Sequence, residues 1–337
     1  LMPAGNRTLS QWVKFANSLR LRLAIRVSMS APDLARAEVA KAMDATAGGV
    51  LESADETVAV STESGYKNPL GTVNEGWGEV FMGATMESVL VGYNDPRLIK
   101  YYSKAEGGDI KDEKGNLIIA ERNKIAGTYK GVPQGTGVTV KDENRYRLHS
   151  KSTITKQTDA ILMTAAEVWF LRAEAALRGF TSENVKDCYE KGITVSCQQW
   201  GVNVGDYLTS DATPSDYVDA FEAKYDVKAL IKVTPKWDGG ASPEEQLERI
   251  LTQKWIACYP EGYEAWTEQR RTGYPQLFKV FVNNSGGAID TNIRIRRLPY
   301  PSDIQKNNPT QYSALKKALG GEDNGGTRLW WDTGRNF

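Results

Sequence analysis

The stretch AEVWFLRAEAALRGF, from Ala166 to Phe180, says more about the fold than any other part of the 337-residue chain. Its apolar residues recur at steps of three and four and form two adjacent stripes: Val168, Leu171 and Ala175, and Trp169, Ala173 and Ala176. Gly179 then ends the predicted helix. The alanines within this wide apolar face let a second helix approach closely, as in tetratricopeptide hairpins.

Further helices are predicted on both sides of this one. A partner helix starts near Thr181-Ser182 and closes at Trp200-Gly201, so the two must pack antiparallel. A second pair starts near Leu9 and continues after Pro32, and a third starts at Ser242 with a capping box. The pairs begin near positions 9, 161 and 243, which is not the regular spacing of about 34 residues of a tandem array. The predicted fold class is mainly α, with tetratricopeptide-like helical hairpins and long loop-rich inserts.

The same periodicity predicts which side chains are buried. On the first helix, the stripe expected to face the core is Leu9, Trp12, Ala16, Leu19, Leu23 and Val27. Four tryptophans on helical periodicity are expected in the core: Trp12, Trp169, Trp255 and Trp266.

Two inserts interrupt the hairpins. The main insert, 58–158, is rich in Gly, Asn, Tyr and Thr and contains turn signals such as Lys67-Asn68-Pro69 and Asp95-Pro96. The shorter insert, 203–241, contains a predicted helix capped by Thr213-Pro214-Ser215-Asp216. Long ordered inserts on a helical scaffold are where binding function tends to lie, so both are expected to carry ligand-facing loops.

Composition excludes several classes of function. The chain has 42 Lys+Arg and 42 Asp+Glu, so it lacks the positive field of a nucleic-acid-binding protein. His149 is the only histidine, which rules out a multi-histidine zinc site or an HExxH helix. No metal or other cofactor is predicted, and Gly320–Gly325 lacks the ordered ligand spacing of an EF-hand.

The three cysteines form no CxxC motif. Cys188 and Cys197 would point to opposite faces of one helix, so buried thiols are expected for them and for Cys258. The first residues, Leu1 to Gly5, have neither a basic nor an apolar segment and are not an intact secretory signal.

Seven strings, collinear along nearly the whole chain, resemble the SusD/RagB family of nutrient-binding outer-membrane lipoproteins from Bacteroidota. They are FANSLRLRLAIRVS (15–28), DPRLIKYY (95–102), YKGVPQGTG (129–137), AEVWFLRAEAALRGF (166–180), YEKGITVSCQQWGV (189–202), YEAWTEQRRTGYP (263–275) and IRRLPYPSD (295–303). None of them is a catalytic signature.

The resemblance implies a SusD-like α-superhelical scaffold and a non-catalytic function. Residues 1–337 would form a single SusD-like domain that captures glycans or other oligomers and caps a SusC-type TonB-dependent transporter. The expected location is the extracellular face of the outer membrane. Family members normally begin with a lipoprotein signal, a lipid-anchored Cys and an N-terminal helical segment. The chain is therefore expected to be the C-terminal part of a longer protein, attached to the membrane only through an anchor that this sequence does not contain.

Aromatic and amide residues of the main insert are the candidate ligand contacts. Sugar rings present apolar C–H faces and hydroxyl rims, so their sites combine flat aromatic side chains with hydrogen-bonding groups. The candidates are Tyr66, Asn68, Asn74, Trp77, Tyr93 and Tyr129. Trp77 is the strongest because the surrounding Glu75-Gly76-Trp77-Gly78-Glu79 has no apolar run to bury it.

Two other functions remain open on the sequence alone. A glycoside hydrolase needs only two suitably spaced carboxylates, which the many acids could supply. A tetratricopeptide-type peptide-binding scaffold would use groove residues on the helices rather than the insert. The clustered arginines Arg270, Arg271, Arg294, Arg296 and Arg297 are interpreted as structural ion pairs, because acids lie between them. Neither the ligand nor its being a glycan can be read from the sequence.

Overall fold

The computed structural model describes residues 8–137 and 144–337 and is mainly helical. Residues 1–5, discussed above, lie outside the described residues. The helices are α1 (Leu9–Arg26), α2 (Pro32–Ala42), α3 (Pro69–Thr72), α4 (Ala84–Gly92), α5 (Leu98–Tyr101), α6 (Ala165–Leu177), α7 (Val185–Gln199), α8 (Pro243–Ala257), α9 (Gly262–Thr272), α10 (Ser302–Asn307) and α11 (Pro309–Leu319). The strands are β1 (Val58–Val60), β2 (Ile110–Lys111), β3 (Leu117–Ile119) and β4 (Ala160–Met163). No helix in these ranges is both long and apolar enough to cross a membrane.

The hairpin of α6 and α7 is the most closely packed pair of the scaffold. The Thr164 hydroxyl caps α6 by accepting from the Glu167 amide at 3.1 Å. At Gly192 on α7, an added Cβ would lie 2.8 Å from the Phe170 ring, so only glycine permits this approach. The predicted start of α7 near Thr181-Ser182 is wrong by a few residues, because Asn184 caps the helix.

In the third hairpin, the structure confirms the signals that predicted the start of α8. The Ser242 hydroxyl accepts from the Glu245 amide, and the Glu245 carboxylate accepts from the Ser242 amide at 3.0 Å, which completes the capping box. Pro243 occupies the first turn of α8. Cis Tyr259-Pro260 follows, and α9 begins at Gly262.

The predicted core face of α1 is wrong. Leu9, Trp12 and Leu23 are exposed, whereas the buried positions are Asn17, Ser18, Leu21, Ala24 and Ile25. The Asn17 amide donates to the carbonyls of Ala47 and Gly49 at 2.8 and 2.9 Å, and the Ser18 hydroxyl accepts from the Leu51 amide at 2.9 Å. Hydrogen bonds let these polar side chains occupy the buried face, and a count of apolar residues misses them.

The ends of the main insert meet in a two-stranded antiparallel ladder. β1 pairs with β4, with Val58 opposite Met163 and Val60 opposite Ala160. The residues between them therefore leave and rejoin the scaffold at one place. β2 and β3 form a second antiparallel pair within this excursion.

The helix predicted in the shorter insert is absent from the structure at Thr213–Asp216. The Ser215 amide donates to the Ser88 carbonyl at 2.9 Å, and the Asp216 carboxylate accepts from the Ala229 amide at 2.9 Å. Because these groups bind other segments, they do not cap a helix. The insert instead forms 3₁₀ turns at Gly205–Thr209 and Ala223–Tyr225.

A group of charged side chains, most of them buried and the rest half-buried, connects four helices of the scaffold. This central ion cluster consists of Arg22 and Arg26 of α1, Glu167 and Glu174 of α6, Lys254 of α8, and Glu264, Glu268 and Arg271 of α9. Arg271 contacts Glu174 at 2.7 Å and Glu268 at 2.6 Å. Burial alone would raise the pKa of the Glu264 carboxyl, but Lys254 and Arg26 outweigh it and lower that pKa to about 2.

The cysteines and the histidine are buried by packing rather than in ion pairs. Cys188, Cys197 and Cys258 are free and buried, as predicted. His149 packs between Tyr146 and Phe221, and burial lowers its pKa to about 3. Among the described residues, no group of three or more His, Cys, Asp or Glu side chains is placed to hold a metal ion.

Candidate ligand-binding site

Trp77 lies at the end of a short π-helical turn, Val73–Trp77, which Gly78 terminates with φ of 66°. Its side chain is 60% exposed, as its flanking residues predicted. At Gly76 and Gly78 an added Cβ would meet nothing within 4 Å, so the two glycines that flank Trp77 also border open space.

Hydrogen bonds hold the turn that carries Trp77 against the segment that follows residue 151. The Asn74 amide donates to the carbonyls of Ser152 and Ile154 at 2.7 and 2.8 Å. The Glu75 carboxylate accepts from the Lys156 amide at 2.8 Å. An exposed indole on an anchored turn can bind a flat apolar surface without first losing much conformational entropy.

Of the other predicted site residues, Tyr66 is also accessible, with 39% of its side chain exposed. Asn68 is a correction, because it is buried as the cap of α3. Its side-chain oxygen accepts from the Leu70 amide, and its amide donates to the Thr158 carbonyl, both at 3.0 Å. Asn74 is placed as an anchor of the turn rather than toward solvent.

Tyr93 is a second correction. It is 1% exposed, and its hydroxyl donates to the Val233 carbonyl at 2.5 Å, while burial raises its pKa. Tyr129 is half-buried and packs against the main hydrophobic core. The structure thus brings Asn74 and Trp77 together on one turn and places Tyr93 and Tyr129 in the packing of the scaffold.

A groove of about 700 Å³ lies between the first turn of α4, the hairpin of α8 and α9, and residues 277–295. This volume is in the range of small-molecule sites. Apolar side chains form most of its wall, and amide, hydroxyl and charged groups lie among them. We call it the aromatic groove, after Tyr102, Trp255, Trp266 and Phe278 in its lining.

Trp255 packs against the main hydrophobic core, as predicted, whereas Trp266 is not among the described residues of that core. Each is only partly buried and lines the aromatic groove, and the Trp266 indole nitrogen donates to the Ile295 carbonyl at 3.1 Å. Trp169 is also partly buried, with the Arg172 guanidinium 3.6 Å from its ring centroid. Helical periodicity puts Trp255 and Trp266 on the inner faces of their helices but does not show that a groove opens beside them.

Comparison with known proteins identifies the family. The family model SusD-like, described as Susd and RagB outer membrane lipoprotein, matches residues 4–332. The chain belongs to the SusD/RagB family. No protein of curated function matches it.

Solved SusD homologues have the same helical fold. One from Bacteroides vulgatus is 52% identical with a TM-score of 0.88, and the match covers 98% of this chain and 64% of that chain. A chitin-binding SusD homologue from Flavobacterium johnsoniae is 37% identical with a TM-score of 0.86, covering 97% and 65%. A homologue from Bacteroides thetaiotaomicron is 34% identical with a TM-score of 0.83, covering 96% and 66%. The chain thus spans about two thirds of the length of these relatives.

Sequence reasoning missed the aromatic groove of this SusD/RagB chain for a physical reason. The groove is assembled from α4, the α8–α9 hairpin and residues 277–295, which are far apart in sequence. Single helices carry a periodicity signal, but a concave surface between separate elements carries none. The one available hint was the number of aromatic residues on α8 and α9.

Proposed function

We propose that this chain captures oligosaccharides at the extracellular face of the outer membrane and passes them to a separate SusC-type TonB-dependent transporter. Membership of the SusD/RagB family supports this, because the family is described as outer membrane lipoproteins. The chitin-binding relative, at 37% identity, supports a carbohydrate as the ligand. Attachment of the whole protein through a lipid is part of the proposal.

The observation that carries the proposal is the exposed indole of Trp77 on its anchored turn. Such a ring offers a flat apolar face for the C–H groups of a sugar. The aromatic groove adds two tryptophans together with amide groups from Gln134 and Asn284. Aromatic rings beside amides are the combination that carbohydrate recognition requires.

The proposed role is capture without cleavage. Hydrolysis of a glycosidic bond normally uses two carboxylates on opposite sides of that bond. Among the described residues that line the aromatic groove, Asp290 is the single acid. Each sugar hydroxyl exchanges water for protein at a net gain of about 0.5–1.5 kcal/mol, so binding should be weak and should increase with oligomer length. Weak binding suits a protein that must release its ligand to a transporter.

The first test uses chito-oligosaccharides of increasing length, chosen because a relative binds chitin. Calorimetry should show affinity rising with length, and chromatography after long incubation should recover the sugar intact. Steady release of shorter sugars would contradict the proposal and favour the glycoside hydrolase. Binding of unstructured peptides in preference to every sugar would favour the peptide-binding scaffold.

The second test concerns the partner. Purification of the full-length protein from outer membranes should recover a TonB-dependent transporter in stoichiometric amount. Recovery only as a free protein outside the membrane fraction would contradict both the proposed location and the delivery of ligand.

A further inference from the structure

A second cavity, of about 280 Å³, adjoins the aromatic groove. Gln269, Leu277 and Arg294 line both cavities, so the two are adjacent at these residues. We call the second cavity the arginine pocket, because five arginines are among its lining residues: Arg270, Arg271, Arg294, Arg296 and Arg328. No Asp or Glu is among its described lining residues.

Three of these arginines form ion pairs with carboxylates that lie outside the lining. Arg271 belongs to the central ion cluster. Arg296 and Arg328 both contact the single carboxylate of Asp332. The ion pairs predicted for Arg271 and Arg296 are thus confirmed, and Arg297, outside the pocket, pairs with Asp323 at 2.6 Å.

The prediction of ion pairs is wrong for Arg270 and Arg294. Neither contacts a carboxylate within the described part of the chain. The Arg270 guanidinium donates to the Arg296 carbonyl at 2.6 Å and stacks 3.6 Å from the Trp266 ring centroid. Burial, together with the nearby guanidinium groups of Arg26 and Arg296, lowers the pKa of Arg270 to about 10. The pocket therefore has a surplus of positive charge.

Arg294 stands at the boundary of the two cavities in an unusual backbone conformation. Its φ is 62°, in the left-handed region, which is unfavourable for a residue other than glycine. Its guanidinium donates to the Gln134 side-chain oxygen at 2.7 Å and to the Phe278 carbonyl. These neutral acceptors orient the group but leave its charge unbalanced.

Gln269 provides an independent sign of a ligand at the same boundary. Its side chain is only 9% exposed and lines both cavities, yet it forms no hydrogen bond with the described residues. Its amide oxygen and nitrogen are not among the enclosed polar atoms that lack a partner, so they are accessible from the cavity. A polar ligand group at the boundary of the aromatic groove and the arginine pocket could therefore form hydrogen bonds with this amide.

We propose that the arginine pocket binds the oxyanion of an acidic sugar, a carboxylate or a sulfate, whose ring lies in the aromatic groove. A guanidinium fork matches both groups, and hydrogen bonds between opposite charges are about twice as strong as neutral ones. This assignment rests on the proposed function and narrows it, because it predicts that oligosaccharides with an acidic group bind more tightly than neutral ones.

The test compares three ligands by calorimetry: digalacturonic acid, the neutral disaccharide galactobiose, and galactose 6-sulfate. The acidic disaccharide should bind about tenfold more tightly than the neutral one, and added salt should reduce this preference. Binding of the sulfated sugar shows whether a tetrahedral oxyanion is also accepted, and its absence assigns the pocket to carboxylates.

Variants test whether Arg294 and Gln269 cause the preference for the acidic disaccharide. Arg294→Gln should abolish the preference for the acidic disaccharide, and Arg294→Lys should retain part of it. Arg122→Gln is the matched control, because Arg122 forms an exposed ion pair with Asp226 that is not part of either cavity. Melting curves confirm that each variant is folded. Gln269→Leu, which keeps the volume, should independently weaken the acidic ligand.

Two results would overturn the assignment in different ways. Equal binding of acidic and neutral disaccharides, unchanged in Arg294→Gln, would remove the anion site and leave carbohydrate capture intact. If no sugar of any kind binds, while inorganic sulfate raises the melting temperature of the protein but not of Arg294→Gln, the acidic-sugar ligand and the proposed function fail together.

Discussion

The central ion cluster and the Trp77 turn both depend on polar contacts, but the results are opposite. Charged side chains are buried in the cluster, whereas an apolar side chain is exposed in the turn. In the cluster, charged groups such as Arg271 and Glu174 are almost completely buried and form ion pairs with one another and with neighbouring charged side chains. In the turn, Asn74 and Glu75 bind backbone groups so that a large apolar side chain stays in solvent. The difference shows that charge stabilises the scaffold here, whereas exposed apolar surface is available for binding.

The largest effect should come from breaking one buried pair. In Arg271→Met, the carboxylates of Glu174 and Glu268 lose a partner that contacts both. Removing one member of a buried ion pair costs about 3–5 kcal/mol, so chemical denaturation should show a loss of that size. Arg122→Met is the control, because its ion pair with Asp226 is solvent-exposed and should cost less than about 1 kcal/mol.

If Arg271→Met were as stable as Arg122→Met, the contrast between the two regions would be wrong. The cluster would then contribute no more to stability than exposed pairs do.

Lowering the pH should also destabilise the central ion cluster, and the loss in the free energy of unfolding should be somewhat smaller than for Arg271→Met. The pKa of Glu264 is lowered from 4.5 to about 2 in the folded protein, so its contribution is complete above pH 4.5. It is lost as the pH falls from 4.5 toward 2, because protonation then favours the unfolded chain. The free energy of unfolding should fall by about 3 kcal/mol over this range from Glu264 alone.

Glu87 partly opposes this trend, since burial raises the pKa of its carboxyl despite the nearby Lys130. Denaturant unfolding at a series of pH values measures the sum. A free energy of unfolding that stays constant down to pH 3 would show that the cluster carboxylates are not held ionised by their partners.

Much of the scaffold could be predicted from sequence, because its signals are local. The capping box at Ser242 and the stripes of 166–180 depend on residues within a turn or two of one another. The core face of α1 could not be predicted, since Asn17 and Ser18 are buried through hydrogen bonds to residues 47–51. That information lies in the tertiary structure.

In the candidate site, too, some features could be predicted from the local sequence and others depend on distant residues. The exposure of Trp77 followed from its glycine and acid neighbours, which offer nothing to bury it against. Asn68 and Tyr93 are also of residue types that sugar sites use, but their side chains donate hydrogen bonds to the distant carbonyls of Thr158 and Val233. Residue type alone cannot distinguish a ligand contact from an internal hydrogen bond.

A smaller effect on stability is expected from loosening the turn. Asn74→Ala leaves the carbonyls of Ser152 and Ile154 without these donors and should cost about 1–3 kcal/mol. Ligand affinity should fall as well, because Trp77 would no longer be held in place. Asn116→Ala, in an exposed loop where the amide binds only Asp112, is the control and should change neither quantity appreciably. Unchanged affinity in Asn74→Ala would show that the anchoring does not matter for binding.

The substitution with the least effect on stability tests the account most directly. Trp77→Ala removes an exposed ring, so the free energy of unfolding should change by no more than about 0.5 kcal/mol. Affinity for the oligosaccharide should fall by about 1 kcal/mol or more, roughly fivefold, because the stacking face is lost. Trp330→Ala is the matched control: Trp330 is 68% exposed near the other end of the chain and should leave both quantities unchanged. If Trp77→Ala lowers stability by several kcal/mol, or binds the sugar as well as the unmodified protein does, Trp77 is part of the scaffold and the proposed binding surface is wrong.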